Sequence, residues 1–171
     1  MIEVLDKIFE PMHQIIYQSG GIVDKHLGDG LMAIFGLSGA SAIHASVMAT
    51  AAMAERTAKV LDSIEPPFDQ LKLSFGLSAG TVVLGMIGSA NRGEFAVVGD
   101  AANLASRLQE LSKLALVPGS GKEYLGEFNR VMAVCSQNML EIESKFRRVE
   151  LPSDLRIRDF DDISTVGILS V

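Results

Sequence analysis

The first apolar residues of the chain, Ile2, Leu5, Phe9, Met12 and Ile16, recur every three or four positions, which sets them on one face of a helix that stops at Gly20-Gly21. Two strand-like runs follow, Ile22-Val23 and Leu31-Met32-Ala33-Ile34-Phe35, on either side of Gly28-Asp29-Gly30. An Asp-Gly pair between such runs predicts a short hairpin. Over residues 38–62 the period is helical again, with Ile43, Val47, Ala51, Ala54, Ala58 and Leu61 on one face and alanines small enough to pack closely on a sheet. Pro66-Pro67 end that helix. Leu71, Leu73, Phe75, Leu77 and Ala79 then alternate with Lys72, Ser74, Gly76 and Ser78, the two-residue period of a strand with one buried face.

Val82-Val83-Leu84 and Ala96-Val97-Val98 read as further strands, and Asp100 as the N-cap of a helix from 101 to 112. Residues 114–130 have no clear period and read as a loop, with an insertion-like stretch over 114–129. Strands are expected over 131–135, 146–151 and 165–171, with a short helix near 138–143. The alternation of helical and two-residue periods predicts one α/β domain over residues 1–171.

Composition narrows the class. A chain of 171 residues, 48% hydrophobic and 21% charged, has room for a single sizeable core. No apolar run reaches the roughly 18–20 residues that cross a bilayer, and Glu3, Asp6 and Glu10 stand where a secretory signal would carry lysines. The expectation is a cytoplasmic protein with no membrane segment. Cys135, the one cysteine, lies in an apolar run and reads as a packing residue, so disulfides do not hold the fold. A net charge of -6 argues against binding a nucleic acid polymer, which rewards clustered Lys and Arg. It leaves open a small phosphate ligand, for which a few placed cations and a metal suffice.

Two constellations could carry chemistry. In Asp24-Lys25-His26-Leu27-Gly28-Asp29-Gly30 a tight hairpin would hold the Asp29 carboxylate exposed and fixed, as Mg²⁺ ligands are held, or Asp29 could simply make the turn. His26 has no His or Cys partner at ligand spacing and reads as a polar strand residue. In Val97-Val98-Gly99-Asp100-Ala101-Ala102-Asn103-Leu104-Ala105-Ser106-Arg107 a strand turns into a helix with Asn103 and Arg107 one turn apart. An amide beside a guanidinium suits a sugar and a phosphate, and equally makes an ordinary polar helix face.

Other features read as structure. The glycines at 76, 80, 85, 88 and 93 form no P-loop and are expected at turns and close contacts, and Gly119-Ser120-Gly121-Lys122 lacks the rest of that motif. Met48, Met53 and Met132 read as core, His13 and His44 as helix residues, and residues 159–162 as a solvated turn.

Taken together, three stretches resemble the class III adenylate/guanylate cyclases: residues 21–36, 73–88 and 95–108, with clear likeness over 4–111 and weaker likeness over 130–171. The resemblance implies an α/β sandwich of the ferredoxin-like kind and a homodimer with shared active sites. It also implies an activity, the conversion of ATP, or of GTP, to the cyclic nucleotide and pyrophosphate. By that resemblance Asp29 is one of two carboxylates holding a pair of Mg²⁺ or Mn²⁺ ions, and Lys25 reads the base edge, lysine there going with adenine. Asn103 orients the ribose, and Arg107 stabilises the charged phosphates of nucleotide held by the partner's metals. The base-reading position next to Val97 is Ala96, which has no hydrogen-bonding side chain. The family's first metal carboxylate lies in a strand ahead of the opening helix. No counterpart precedes Ile2 here and Asp6 does not replace it, so the expectations are either a cyclase nearly inactive in this form or a silent cyclase-homology domain that dimerises or binds nucleotide.

Overall fold

A computed structural model describes residues 1–37, 41–89, 92–115, 125, 130–140 and 145–170. Helix α1 (Ile2–Gln18) buries Ile8, Met12 and Ile16, and the chain turns at Gly20, in a left-handed conformation, into the antiparallel hairpin β1 (Ile22–Leu27) and β2 (Gly30–Ile34). Helix α2 (Ala42–Asp62) packs on α1 and buries Val47, Ala54 and Leu61, as its period predicts. Met48 is exposed instead of core, because one residue past Val47 is a rotation of roughly 100° off the buried stripe. Arg130 holds the C-terminal end of α2, donating to the Leu61 carbonyl at 3.1 Å and pairing with Asp62 at 3.4 Å.

The main sheet has the order β3 (Leu73–Leu77), β6 (Val131–Ser136), β8 (Thr165–Ser170), β7 (Arg147–Glu150), with β3 and β6 parallel and the other pairs antiparallel. Every residue of β6 is buried, as a central strand covered on both faces must be. Met132 and Val134 face α3 (Asp100–Ala115) through Leu108 and Leu111, whereas Val131 joins the core of α1 and α2. Ala133 and Cys135 pack with Val47 and Met139 of the short helix α4 (Gln137–Leu140). The α/β sandwich expected from the sequence is therefore present.

Helix α3 explains a correction to the reading of β3. Leu73, Phe75 and Leu77 face the α1–α2 side as predicted, but the other face is also covered. A Cβ at Gly76 would collide with the backbone of Ala105 and Gln109, so α3 lies directly on the strand there. The neighbouring Ser74 hydroxyl accepts a hydrogen bond from Gln109 Nε2 at 2.6 Å. Small and polar residues on this face mark a close helix contact, not solvent. The start of α3 is also one residue early. The Gly99 carbonyl accepts from the amides of Ala102 and Asn103, so Gly99 occupies the capping position and Asp100 is the first helical residue.

The hairpin β4 (Val83–Ser89) and β5 (Arg92–Val98) forms a separate two-stranded sheet, longer than the runs 82–84 and 96–98 expected, with Gly85, Gly88 and Gly93 inside its ladder and not at turns. Three expectations extend past the described residues: those on 114–130 apart from Leu114, Ala115, Leu125 and Arg130, on Gly119–Lys122, and on the outer ends of the elements at 38, 143 and 171. Leu125 is buried, and its carbonyl accepts from Arg147 at 2.7 Å.

Among the described residues strands β2 and β3 are not paired with each other, and each ends its sheet. Both nevertheless pack over one core: Leu31 and Ala33 from β2 and Leu73 and Phe75 from β3 meet the buried residues of α1 and α2. The hairpin and the main sheet are thus joined through that core.

Two outcomes follow. Gly76→Ala should lower stability by about 1–3 kcal/mol by forcing α3 off the strand, read as a drop in the midpoint of thermal denaturation. Burial pushes the Cys135 thiol up from 9.0 to about 12. It should therefore resist thiol reagents until the chain unfolds. Because the unfolded thiol ionises first, stability from this group is intact below pH 9.0 and falls as pH rises towards 12, measurable by denaturant titration across that range.

Candidate functional site

The hairpin of β1 and β2 sets two of the candidate residues. Gly28, with φ 67°, takes the left-handed conformation that a tight two-residue turn needs, and Asp29 follows it at the exposed tip. The register slips by one residue between Val23 and Lys25, so Asp24 is a bulge. The bulge turns Lys25 away from the helix layer that Val23 faces. It also lays His26 against α1, where its ring meets Phe9 and His13 at centroid distances of 5.1 Å each. His26 is accordingly a strand residue packed on a helix, in keeping with the sequence reading.

Lys25 reaches across to β5. Its Nζ donates to Glu94 Oε1 and to the Phe95 carbonyl, each at 3.2 Å, and lies 3.7 Å from Asp24 Oδ2. The hydrogen bond with Glu94 holds the ammonium above its ordinary 10.5; desolvation, the next largest effect, works against it, and the Asp24 and Glu94 charges add to the rise. The Asp24 side chain is 0% exposed and neither carboxylate oxygen has a hydrogen-bond partner, which leaves Lys25 as its ion-pair partner among the described residues. A buried carboxylate in that position is costly without a cation beside it. Ala96 lies on β5 opposite Gly85, two residues beyond Glu94.

Immediately after β5 and Gly99, α3 carries the other two candidates. Leu108 is buried and Leu104 packs on the same core, which leaves Asn103 exposed and Arg107 at the surface edge, as the spacing predicts. The Arg107 guanidinium pairs with Glu110 at 3.2 Å and with Asp159 at 3.8 Å, while its Nε has no partner among the described residues. Asp159 sits in the turn expected at 159–162, at φ 68°, but that turn is not merely solvated: Phe160 packs against the α3 core and Asp159 reaches the helix.

The structure thus brings Lys25 onto the strand that bears Ala96 and sets Asn103 and Arg107 on the helix that follows it, with Asp29 on the far tip of the first hairpin. Sequence reasoning missed Glu94, Asp24 and Asp159. For Glu94 a signal existed, its two-residue offset from Ala96 on a strand. The bulge at Asp24 and the fold-back of Asp159 have none. Among the described residues no group of three or more His, Cys, Asp or Glu side chains could hold a metal ion. Asp29 alone does not make a cage for Mg²⁺, which takes six oxygens in near-octahedral geometry.

These features coincide with what is known of other proteins. The family described as the adenylate and guanylate cyclase catalytic domain matches over residues 1–145, and the chain belongs to it. An adenylate cyclase of Anabaena cylindrica is 32% identical over 104 residues, covering 60% of this chain and 21% of that protein, so the likeness spans about a fifth of the relative's length. In solved structures the fold is similar to the adenylyl cyclase CyaB from P. aeruginosa, with a TM-score of 0.75 at 20% identity over 99% of this chain and 82% of that one. It is also similar to the guanylyl cyclase Cya2, with a TM-score of 0.73 at 21% identity over 98% and 78%. No helix among the described residues is long and apolar enough to cross a membrane.

Arg107 is held by exposed carboxylates, whose ion pairs contribute little to stability. The Arg107 side chain is itself only 20% exposed, so Arg107→Ala should cost about 1 kcal/mol, mostly as lost packing, and circular dichroism should show the variant folded before a loss of activity is read as chemical.

Proposed function

We propose that residues 1–171 form a nucleotidyl cyclase domain that converts ATP to cyclic AMP and pyrophosphate in intracellular signalling, working as a homodimer whose active sites lie between the two copies. The observation that carries this reading is the succession of β5, Gly99 and α3, which sets Asn103 and Arg107 just beyond the strand against which Lys25 is held. ATP rather than GTP is favoured by Lys25, which can donate to the acceptor edge of adenine.

The reaction joins the ribose 3′-oxygen to the α-phosphorus, with loss of the hydroxyl proton, as the bond to pyrophosphate breaks. Negative charge builds on the phosphate oxygens, and a guanidinium aimed at them stabilises that charge more than it does the ground state. Arg107 fills this role once phosphate oxygens replace Glu110 and Asp159, its present partners. Asn103, one turn earlier and exposed, hydrogen-bonds the ribose. Mg²⁺ or Mn²⁺ would supply charge neutralisation along the triphosphate. Asp29 would be one ligand.

Dimerisation is supported by the β4–β5 hairpin. Val83, Ile87 and Val98 are exposed on one of its faces and Met86 and Phe95 on the other. A two-stranded ribbon with apolar residues on both faces is marginal alone and gains by being covered. Lys25, Asn103 and Arg107 of one copy would then act on nucleotide whose metals are held by Asp29 of the other.

In sedimentation at micromolar concentration the chain should run as a dimer, and Val83→Asp with Ile87→Asp should shift it to monomer. A strict monomer in the presence of Mg²⁺ and ATP counts against the shared site. In an assay of cyclic AMP formed from ATP, Asp29→Ala and Arg107→Ala should each lower turnover by about 100-fold or more. ATP binding with no turnover in the unaltered chain would instead favour the regulatory, silent reading.

A further inference from the structure

A purine is read along one edge, where adenine sets a ring-nitrogen acceptor beside an amino donor, so a selective pocket needs a donor and an acceptor held side by side. Lys25 supplies the donor, whereas Ala96 offers only a methyl group. Glu94 precedes Ala96 by two residues, and strand alternation puts the two on one face of β5. Its Oε1 is 3.2 Å from Lys25 Nζ.

We propose that Glu94 is a specificity-determining residue, the base-edge acceptor that works with Lys25 in place of a side chain at 96. This rests on the reading of the chain as a nucleotide-using cyclase. Three features of the site support it. The Glu94 side chain is 78% exposed and its Oε2 makes no hydrogen bond among the described residues, so an acceptor stands open to ligand beside the ammonium. The Phe95 carbonyl fixes the ammonium at 3.2 Å whatever Glu94 does. Behind it the buried Asp24 carboxylate, 3.7 Å away and 0% exposed, keeps the ammonium charged and in place when Glu94 turns to the base.

With Lys25 against the ring nitrogen and Glu94 against the amino group, adenine satisfies both. Guanine in the same pose sets an N–H against the ammonium and a carbonyl oxygen against the carboxylate. Leaving polar groups mismatched in this way discriminates more strongly than shape does.

The test is the dissociation constants of ATP and GTP, measured by calorimetric titration with Mg²⁺ for the unaltered chain, Glu94→Ala, and Glu94→Ala combined with Ala96→Thr. The unaltered chain should prefer ATP by roughly tenfold, the size of effect one hydrogen bond to a charged group commands. Glu94→Ala should bring the two nucleotides to within about twofold, and Ala96→Thr in that background should restore a preference for ATP, which a merely structural ion pair would not do. Glu94 is exposed, so the variant should fold normally, checked by circular dichroism. An unchanged ratio in Glu94→Ala, or equal weakening of both nucleotides, overturns the proposal while leaving the cyclase reading standing. An unaltered chain that binds neither nucleotide overturns that reading and this proposal with it.

Discussion

The backbone-to-backbone seating of α3 on β3 at Gly76 is the contact on which the rest of the site depends. No side chain fits there, so the helix lies closer to the sheet than ordinary packing allows. Leu108 and Leu111 then reach the buried faces of β6 and β8, and the rotation of the helix is fixed. With Leu108 inward, Asn103 and Arg107 must lie outward, beside the end of β5 and the Asp159 turn. Tertiary packing, more than any local preference of the polar residues, decides where the charge-bearing groups point.

Around that seat lie pieces with their own separate sheets. The main sheet and the β1–β2 hairpin share one core through α1 and α2 with no ladder between them among the described residues. The β4–β5 ribbon shows apolar residues on both faces. Asp29 stands on an exposed tip, in no metal-binding group among the described residues. An exposed apolar ribbon gains by being covered, and a second copy is the occupant proposed for it. In the proposed site, divided between copies, the nucleotide would displace the carboxylates that engage Lys25 and Arg107 in the single chain.

Much of this was legible in the residues. The helical period of α1 and α2, the turn at Gly28-Asp29 and the strand-to-helix junction at Gly99 are local signals, and they fall where the pattern puts them. What was not legible is long-range. Ser74 and Gly76 look like the wet face of a strand until α3 is laid on them. Met48 differs from Val47 only by its rotation about the helix. The bulge at Asp24 reverses which side Lys25 takes, and nothing in the residues 22–27 announces it. The contact of Lys25 with Glu94 joins residues 69 apart, and so needs the fold before it can be seen.

The central claim is that one active site draws on two copies of the chain. It is tested most directly by mixing two variants, Asp29→Ala and Arg107→Ala, each inactive by itself, and measuring cyclic AMP formed from ATP. With random pairing, half of the dimers would be mixed and each would carry one intact site, so the mixture should recover about a quarter of the activity of the unaltered chain. No recovery, in a mixture shown to have exchanged subunits, would mean that both residues serve the same copy's site and would contradict the account.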